Sequence, residues 1–496
     1  MSPLLEALST VFQLGTLLYI LIGVAWGLIF GMIPGLSATL AIIVLIPITY
    51  SLSPIQGICM LLGVYIGGVS GGLISAILLG MPGTPSSITT CYDGYPLAKQ
   101  GLGEKAIGVG AVSNLFGSLI GFVFLIFLAT PLSKLALKFG PFEYVAIIVF
   151  GIVAVVTLSG DSILKSFMMA AFGLLLASIG SDPTYGTVRS TFGLSILSNG
   201  INTIPAMVGM FVIAHICAEA KNHTEKYSLP VSKPVKGIMT KAEWKEAIPN
   251  FFRSGLIGTA IGILPGIGGN LATFVCYDQA KRASKDPKSF GQGNIQGIIA
   301  SETGNNAVIG GALIPMIALG IPGDTSTAAL LGGLQIHDLT PGPLLFKMHP
   351  ALVYSVFISF IIAVVYMFLM ILGGKRVFPK LLRIKKSFLL PAVLVLSLVG
   401  CYNLSYSMKD VWIAVIFGVI GYALKKWNFP NTPIVIGLIL GKMLEKNLRL
   451  GLSQSGNSLL PMFTQPICLV FLAATIASLF FAVKIKKTTQ KMEEKQ

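Results

Sequence analysis

Long apolar runs alternate with short polar segments along this chain. The runs fall near residues 11–30, 55–80, 105–130, 142–158, 162–180 and 203–220, then near 251–275, 294–319, 350–373, 387–403, 411–424, 432–444 and 464–483. About 20 apolar residues cross roughly 30 Å of hydrocarbon as a helix. A transmembrane β-barrel would instead alternate in and out over segments of about ten residues, and these runs are continuous. The pattern predicts an all-α polytopic membrane protein of about 11–12 helical segments. The first run, Val11 to Phe30, has no basic leader and is longer than a signal-peptide core, so it is expected to stay as a span.

Composition agrees, because 54% of the 496 residues are hydrophobic and only 11% are charged, against about 25% in a soluble domain. The net charge of +16 sits largely in short loops between apolar runs, which is the positive-inside pattern rather than a nucleic-acid footprint. Lys221 to Pro249 carries Lys221, Lys226, Lys233, Lys236, Lys241 and Lys245 against Glu225, Glu243 and Glu246. It reads as a cytoplasmic link between an N-terminal half (1–220) and a C-terminal half (250–483), with a basic tail over 484–496. Lys281, Arg282, Lys285 and Lys288 form a second basic stretch. Two cytoplasmic stretches flanking one apolar run require that run to enter and return. Gly255 to Val275 is therefore expected to be a re-entrant hairpin turning at Pro265-Gly266, with protein or water covering its backbone. Six scattered cysteines, Cys59, Cys91, Cys217, Cys276, Cys401 and Cys468, lack metal-ligand spacing and read as packing residues.

Two segments recur in the same order in both halves. FGMIPGLSATLA (Phe30 to Ala41) matches IGILPGIGGNLA (Ile261 to Ala272), and LLGMPGTPSS matches ALGIPGDTST. The offsets are 231 for Pro34 and Pro265 and 240 for Pro82 and Pro322. Interrupted apolar segments at corresponding places in two halves point to the substrate site of a secondary transporter. Proline removes a backbone donor and glycine admits unusual backbone, so Pro-Gly ends one half-helix and another must begin. The first N–H groups of the new half-helix lack partners and carry the positive end of the macrodipole, a site suited to a carboxylate. The candidate substrate-binding residues are Pro34, Gly35, Ser37 and Thr39; Pro82, Gly83, Thr84, Ser86 and Ser87; Pro265, Gly266, Gly268, Gly269 and Asn270; and Pro322, Gly323, Thr325 and Ser326. Capping of their own helices is the competing role for these hydroxyls.

Few acidic residues lie deep in apolar sequence, and Glu302 and Asp324 stand out. Glu302 in ASETGNNAV has Asn305 and Asn306 one turn on, hard oxygen ligands that suit sodium, with a structural hydrogen bond as the alternative. Asp324 directly follows Pro322-Gly323 and would repel a carboxylate, so an ion-ligand or cap role is expected there. His337 and Asp338 read as a loop turn, with proton coupling through His337 left open. Asp93 and Asp278 each follow Cys-Tyr and read as loop or interface residues, and Arg189 reads as a surface residue, with a part in meeting substrate charge as the alternative.

The chain resembles the large permease subunit of the tripartite tricarboxylate transporters over nearly its whole length. The resemblance is carried by GMIPGLSATLA, GGLISAILLGMPGTPSSITTCYDGYPLAKQG, GILPGIGGNLATFVCYDQAKR, FGQGNIQGIIASETGNNAV and ALGIPGDTSTAALLGGLQIHDLTPGP. It implies uptake of a carboxylate, citrate among the candidates, driven by an ion gradient that is usually sodium. It also implies two partners, a periplasmic substrate-binding protein and a small membrane subunit of about four helices, and residence in a bacterial inner membrane. No G-x-x-x-x-G-K-[ST] loop offers an ATP motor. No enzymatic activity and no cofactor are expected. A channel or an accessory subunit without its own site remains the alternative reading.

Overall fold

Apolar sequence becomes helix nearly run for run. The computed structural model describes residues 2–159, 162–182, 186–194, 197–220, 237–266, 268–384 and 386–493. The basic stretch 221–236, and with it Lys221, Glu225, Lys226, Lys233 and Lys236, lies outside the described residues. Leu14–Met32, Pro54–Leu79, Gly103–Ala136, Pro141–Leu158, Ile163–Ala177, Ile295–Leu319, Pro350–Gly374 and Met408–Lys426 each fall on a predicted run. Among the described residues, five helical segments are long and apolar enough to cross a bilayer, and several shorter apolar helices accompany them. The protein is an all-α polytopic membrane protein whose described β-structure is one antiparallel pair, Gly180–Ser181 with Val188–Arg189.

The chain forms two compact units, Met1–Lys134 with Ala220–Gly400, and Leu135–Glu219 with Cys401–Gln496. Each unit therefore draws on sequence from both sides of the basic segment.

In the first unit the sequence repeat is also a packing repeat. Leu14–Met32 lies along Pro54–Leu79, and Lys241–Ile263 lies along Ile295–Leu319. A Cβ at Gly27 would stand 2.3 Å from the Val64 carbonyl oxygen, and one at Gly258 would stand 2.3 Å from that of Gly304. One turn on, a Cβ at Gly31 would meet the Gly68 oxygen at 2.2 Å, and one at Gly262 the Val308 oxygen at 2.7 Å. Gly258 and Gly262 lie 231 positions after Gly27 and Gly31, while Gly304 and Val308 lie 240 after Val64 and Gly68. The same backbone-to-backbone crossing is thus built twice, from glycines that let two helices approach without side chains between them. Pro54–Leu79 is almost wholly buried, and every residue from Gly297 to Leu319 is buried. That burial matches helices whose sequence is apolar or small on all faces.

Both Pro-Gly interruptions nearest the start of each repeat turn the chain back on itself. The indole of Trp26 donates to the Ala41 carbonyl at 3.3 Å, across the break at Pro34. In the second half Ile261 packs on the cluster of Ala272, Val308 and Ala312, and Ile257 on that of Cys276, Ala280, Phe290 and Ala300. Lys241–Ile263 and Gly268–Ala283 pack on each other on either side of the break at Pro265, so the chain turns between two helices where a turn was expected.

In the second unit Ile163–Ala177 packs closely on Thr432–Gln454, where a Cβ at Gly173 would stand 2.2 Å from the Ile434 oxygen. Beyond the apolar part of Thr432–Gln454, Arg189 and Arg449 each pair with both Asp182 and Glu445. Arg189 thus belongs to a closed ring of four charges. Its hydrogen bond to Glu445 holds that carboxyl below its usual range, against the opposing pull of burial and with Arg449 adding to it. A depressed folded-state pKa contributes stability above the unfolded value of about 4.3 and loses it as pH falls through the folded value. Acidification from about pH 6 to about pH 3 is therefore expected to lower the melting temperature of the wild type more than that of Glu445→Gln. Scanning fluorimetry in detergent checks this, and equal shifts would refute it.

Candidate functional site at the Pro-Gly breaks

Four helix starts follow the four Pro-Gly pairs. Gly35 and Gly266 adopt φ of 93° and 82°, which only glycine enters cheaply. At the other two breaks the left-handed residue is not the Pro-Gly glycine but Gly80 (φ 67°) and Gly320 (φ 77°), which end the preceding helices. Gly83 and Gly323 are required for a different reason. A Cβ at Gly83 would stand 2.2 Å from the Gly31 oxygen and 2.9 Å from the Gly72 Cα. A Cβ at Gly323 would meet the corresponding Gly262 oxygen at 2.9 Å and Ala312 Cα at 2.6 Å. Pro34, Pro82, Pro265 and Pro322 thus sit in short turns clasped against neighbouring backbone.

Several predicted site residues commit their polar groups to capping. Ser37 Oγ accepts from the Leu40 amide at 3.2 Å. The Thr84 amide donates to Ser87 Oγ, which in turn donates to the Thr84 carbonyl at 2.7 Å. Asp324 Oδ1 accepts from the Thr327 amide at 2.7 Å and from its hydroxyl at 2.8 Å, while Asp324 Oδ2 accepts from Tyr65 at 2.7 Å. Asp324 therefore has the hydrogen bonding of a cap, with both carboxylate oxygens engaged.

Ser86 Oγ lies 3.2 Å from Thr84 Oγ1 within its own break, and the other hydroxyls meet across the two halves. Thr39 Oγ1 lies 2.9 Å from Thr325 Oγ1 and 3.0 Å from Ser326 Oγ. On the other side, a Cβ at Gly269 would stand 3.0 Å from Ser86 Cβ and 2.8 Å from Asn305 Oδ1. The first break of each half thus meets the second break of the other, the arrangement of a pseudo-two-fold. The Gly266 amide donates to the Gly323 carbonyl at 2.8 Å, and Gly268 approaches Asp324, which closes the set into one locus. Gly35, Pro85, Asn270 and Thr325 are exposed there, and so are Leu264 and Leu271 around the Pro265 break. Chemically the locus offers hydroxyls, the side-chain amides of Asn270 and Asn305, half-helix N-termini and the capping carboxylate of Asp324, and none of the side chains in these contacts is basic.

A second, wholly buried polar cluster lies on Ile295–Leu319. Asn306 Oδ1 accepts from Ser70 at 2.7 Å and from Ser118 at 3.4 Å, and Asn306 Nδ2 donates to Asn114 Oδ1 at 2.7 Å. Glu302 accepts from Thr90 and is hydrogen-bonded with Asn114. Asn305 Nδ2 reaches the Val69 carbonyl at 3.5 Å. Glu302 and Asn306 thus share one cluster through Asn114, Asn305 sits between it and Gly269, and Asp324 makes its bonds at the tips instead. Thr90, Asn114, Ser70, Ser118 and Tyr65 were not among the sequence candidates. A polar side chain recurring inside an otherwise apolar run was the available signal, and it is weak for serine and threonine because both can bond their own helix.

Other predicted residues fall as follows. His337 ends Thr325–Ile336, and Asp338 takes φ 55° in the turn after it, as a loop turn requires. Asp278 is exposed and pairs with Arg282 at 2.7 Å. Asp93 is not in a loop. It lies fully buried within Ile88–Leu97 and joins that helix to residues of the second half.

The chain is similar to known proteins. The chain is 33% identical over 462 residues to an uncharacterised 52.8 kDa protein of the TAR-I ttuC' 3' region of Agrobacterium vitis, covering 93% of this chain and 92% of that one. An uncharacterised protein of the TAR-II ttuC' 3' region of the same organism is 31% identical over 226 residues, which covers 46% of this chain and 93% of that protein. No solved structure matches. Residues 17–436 match the tripartite tricarboxylate transporter TctA family across all four breaks and both polar clusters, and the chain belongs to that family.

Proposed function

We propose that this chain is the substrate-translocating permease of a binding-protein-dependent secondary importer of carboxylates, either a tricarboxylate such as citrate or a related dicarboxylate. The observation that carries the reading is the convergence of four half-helix starts, two from each repeat, on one locus that exposes Asn270 and Thr325, with Leu264 and Leu271 exposed beside Pro265 and Asn270 in the chain. Half-helix N-termini and hydroxyls meet an anion's charge without a fixed cation. That leaves the anion weakly enough held to be released, and alternating access then follows from the two halves exchanging their contacts at the tips.

The bound carboxylate faces Thr39, Ser86, Asn270, Thr325 and Ser326. Ser37, Thr84, Ser87 and Asp324 hold the half-helix ends in place, and the Pro-Gly backbone shapes the cradle. The coupling ion is sodium, taken by the oxygens of Glu302, Asn305 and Asn306, and Asp324 serves as a cap. Thr89, Ser301 and Thr303, sequence neighbours of the Thr90–Glu302 pair, have buried hydroxyls without a protein partner, which favours a polar occupant nearby. The partners are a periplasmic binding protein and a small membrane subunit, in a bacterial inner membrane.

Uptake of labelled di- and tricarboxylates into proteoliposomes holding all three subunits, with and without a sodium gradient, tests the reading. Gradient-dependent uptake that requires the binding protein is expected. Flux indifferent to every gradient would favour a channel, and uptake unaffected by loss of the tip hydroxyls would favour an accessory role. Within that assay Thr39→Val, which removes the hydroxyl facing Thr325 and Ser326, is expected to raise KM roughly tenfold, the worth of about one hydrogen bond to a charged group.

A further inference from the structure

Asp93 is a buried carboxylate that the transport reading does not use. Its Oδ1 accepts three backbone amides, from Gly291 at 2.8 Å, Gly293 at 3.0 Å and Asn294 at 2.8 Å. Its Oδ2 accepts the Tyr277 hydroxyl at 2.8 Å. No lysine or arginine pairs with it among the described residues. Gly291 and Gly293 take φ of 88° and 104°, so successive N–H groups converge in the kind of backbone nest that binds anions. The space is made for this carboxylate, since a Cβ at Gly297 would stand 2.0 Å from Asp93 Oδ2.

The placement of this clasp gives it consequence. Asp93 is seven positions beyond Ser86, and Tyr277 eight beyond Gly269, about 10–12 Å along each helix. The half-helix after the second break of one half and that after the first break of the other therefore touch at both ends of a rail. Ser86 meets Gly269 at the tips, and Asp93 meets Tyr277 near the far end. Between them Tyr92 packs on Phe274, with ring centroids 6.4 Å apart. One contact alone lets two short helices pivot, whereas two separated contacts fix their relative angle. The nest also leads directly into Ile295–Leu319, which carries Glu302, Asn305 and Asn306.

We propose that Asp93 is a positioning residue: its clasp by the 291–294 nest and Tyr277 sets the spacing of the Ser86 and Gly269–Asn270 tips. The tip spacing is a claim about geometry. Its effect on substrate rests on the carboxylate-transport reading, so the test separates the two.

The first readout uses no substrate. A Cβ at Gly269 would stand 3.0 Å from Ser86 Cβ, about 0.5 Å short of the range of a disulfide, so Ser86→Cys with Gly269→Cys is expected to cross-link under mild oxidation once the tips part by that small amount. Adding Asp93→Ala is expected to slow that reaction tenfold or more, and adding Asp93→Asn, which keeps an acceptor for the three amides, less than threefold. The second readout is carboxylate uptake by single Asp93 variants, where Ala is expected to raise KM about tenfold and Asn to restore it to within threefold. An unchanged cross-linking rate in folded Asp93→Ala protein would overturn the proposal. So would a fall in maximal rate that tracks the amount of folded protein with KM unchanged. If Asp93→Ala does not fold, Tyr277→Phe replaces it, and slower cross-linking is again required. If cross-linking slows but the wild type transports no carboxylate, the clasp stands and the transport reading falls.

Discussion

Gly258→Val is expected to leave almost no folded protein, while Gly373→Ala is expected to be silent. A Cβ at Gly258 would stand 2.3 Å from the Gly304 carbonyl oxygen and 2.9 Å from its Cα, whereas nothing lies within 4 Å of one at Gly373. The obstacle is backbone, which cannot rotate away as a side chain can. Gly304 is itself crowded, since a Cβ there would meet Cys276 Sγ at 2.5 Å. Overpacking a well-filled core costs about 1–3 kcal/mol when side chains can adjust. Forcing apart two buried helices is expected to cost about 4 kcal/mol or more, the range of the most damaging single changes. The monodisperse fraction in detergent, followed by size-exclusion chromatography, measures it. Because the crossing is built twice, Gly27→Val should fail in the same way. Wild-type yield and melting temperature for either variant would show that the glycine crossings do not hold the unit together.

Glu302→Gln is expected to fold normally and yet lose about a hundredfold in sodium-driven uptake. The amide keeps the size of the side chain and an oxygen for Thr90, and it removes the negative charge together with one acceptor oxygen, so that the hydrogen bond with Asn114 must rearrange. A hundredfold corresponds to about 2.7 kcal/mol, within reach of removing a charged partner from a buried site. Substrate exchange without a gradient is expected to suffer less, which separates loss of ion coupling from loss of the carboxylate site. Equal sodium dependence in variant and wild type would remove Glu302 from the coupling site. Asn306→Leu is a harsher change, since it strands Ser70, Ser118 and Asn114 together and is expected to lower stability as well.

Much of this was legible because its causes are local. Pro34-Gly35, Pro265-Gly266, Pro82-Gly83 and Pro322-Gly323 interrupt helices through their own backbone restrictions, and the breaks stand where those residues stand. The turn between Lys241–Ile263 and Gly268–Ala283 stands at the Pro265-Gly266 pair where the sequence placed it. Caps were harder to separate from ligands. Ser37, Thr84 and Asp324 turned out to serve their own helix starts, while Thr39 and Ser86, a few positions away and chemically alike, face the other half. Spacing alone cannot distinguish them, because the first choice depends on the local turn and the second on a partner more than 180 residues distant.

By itself the sequence determined the membrane class, the run-by-run helices, the two matched repeats and the four places where helices break, since periodicity, hydropathy and the Pro-Gly backbone act over a few residues at a time. Only the tertiary structure decided which breaks meet, with Thr39 against Thr325 and Ser326 and with Ser86 against Gly269. It also decided that Asp324 is a cap and that Asp93, open between a loop and an interface role, is an interface residue buried in a nest. Those outcomes rest on how closely helices distant in sequence can approach. Here that approach is set by glycines whose missing side chains matter only once a second backbone lies against them.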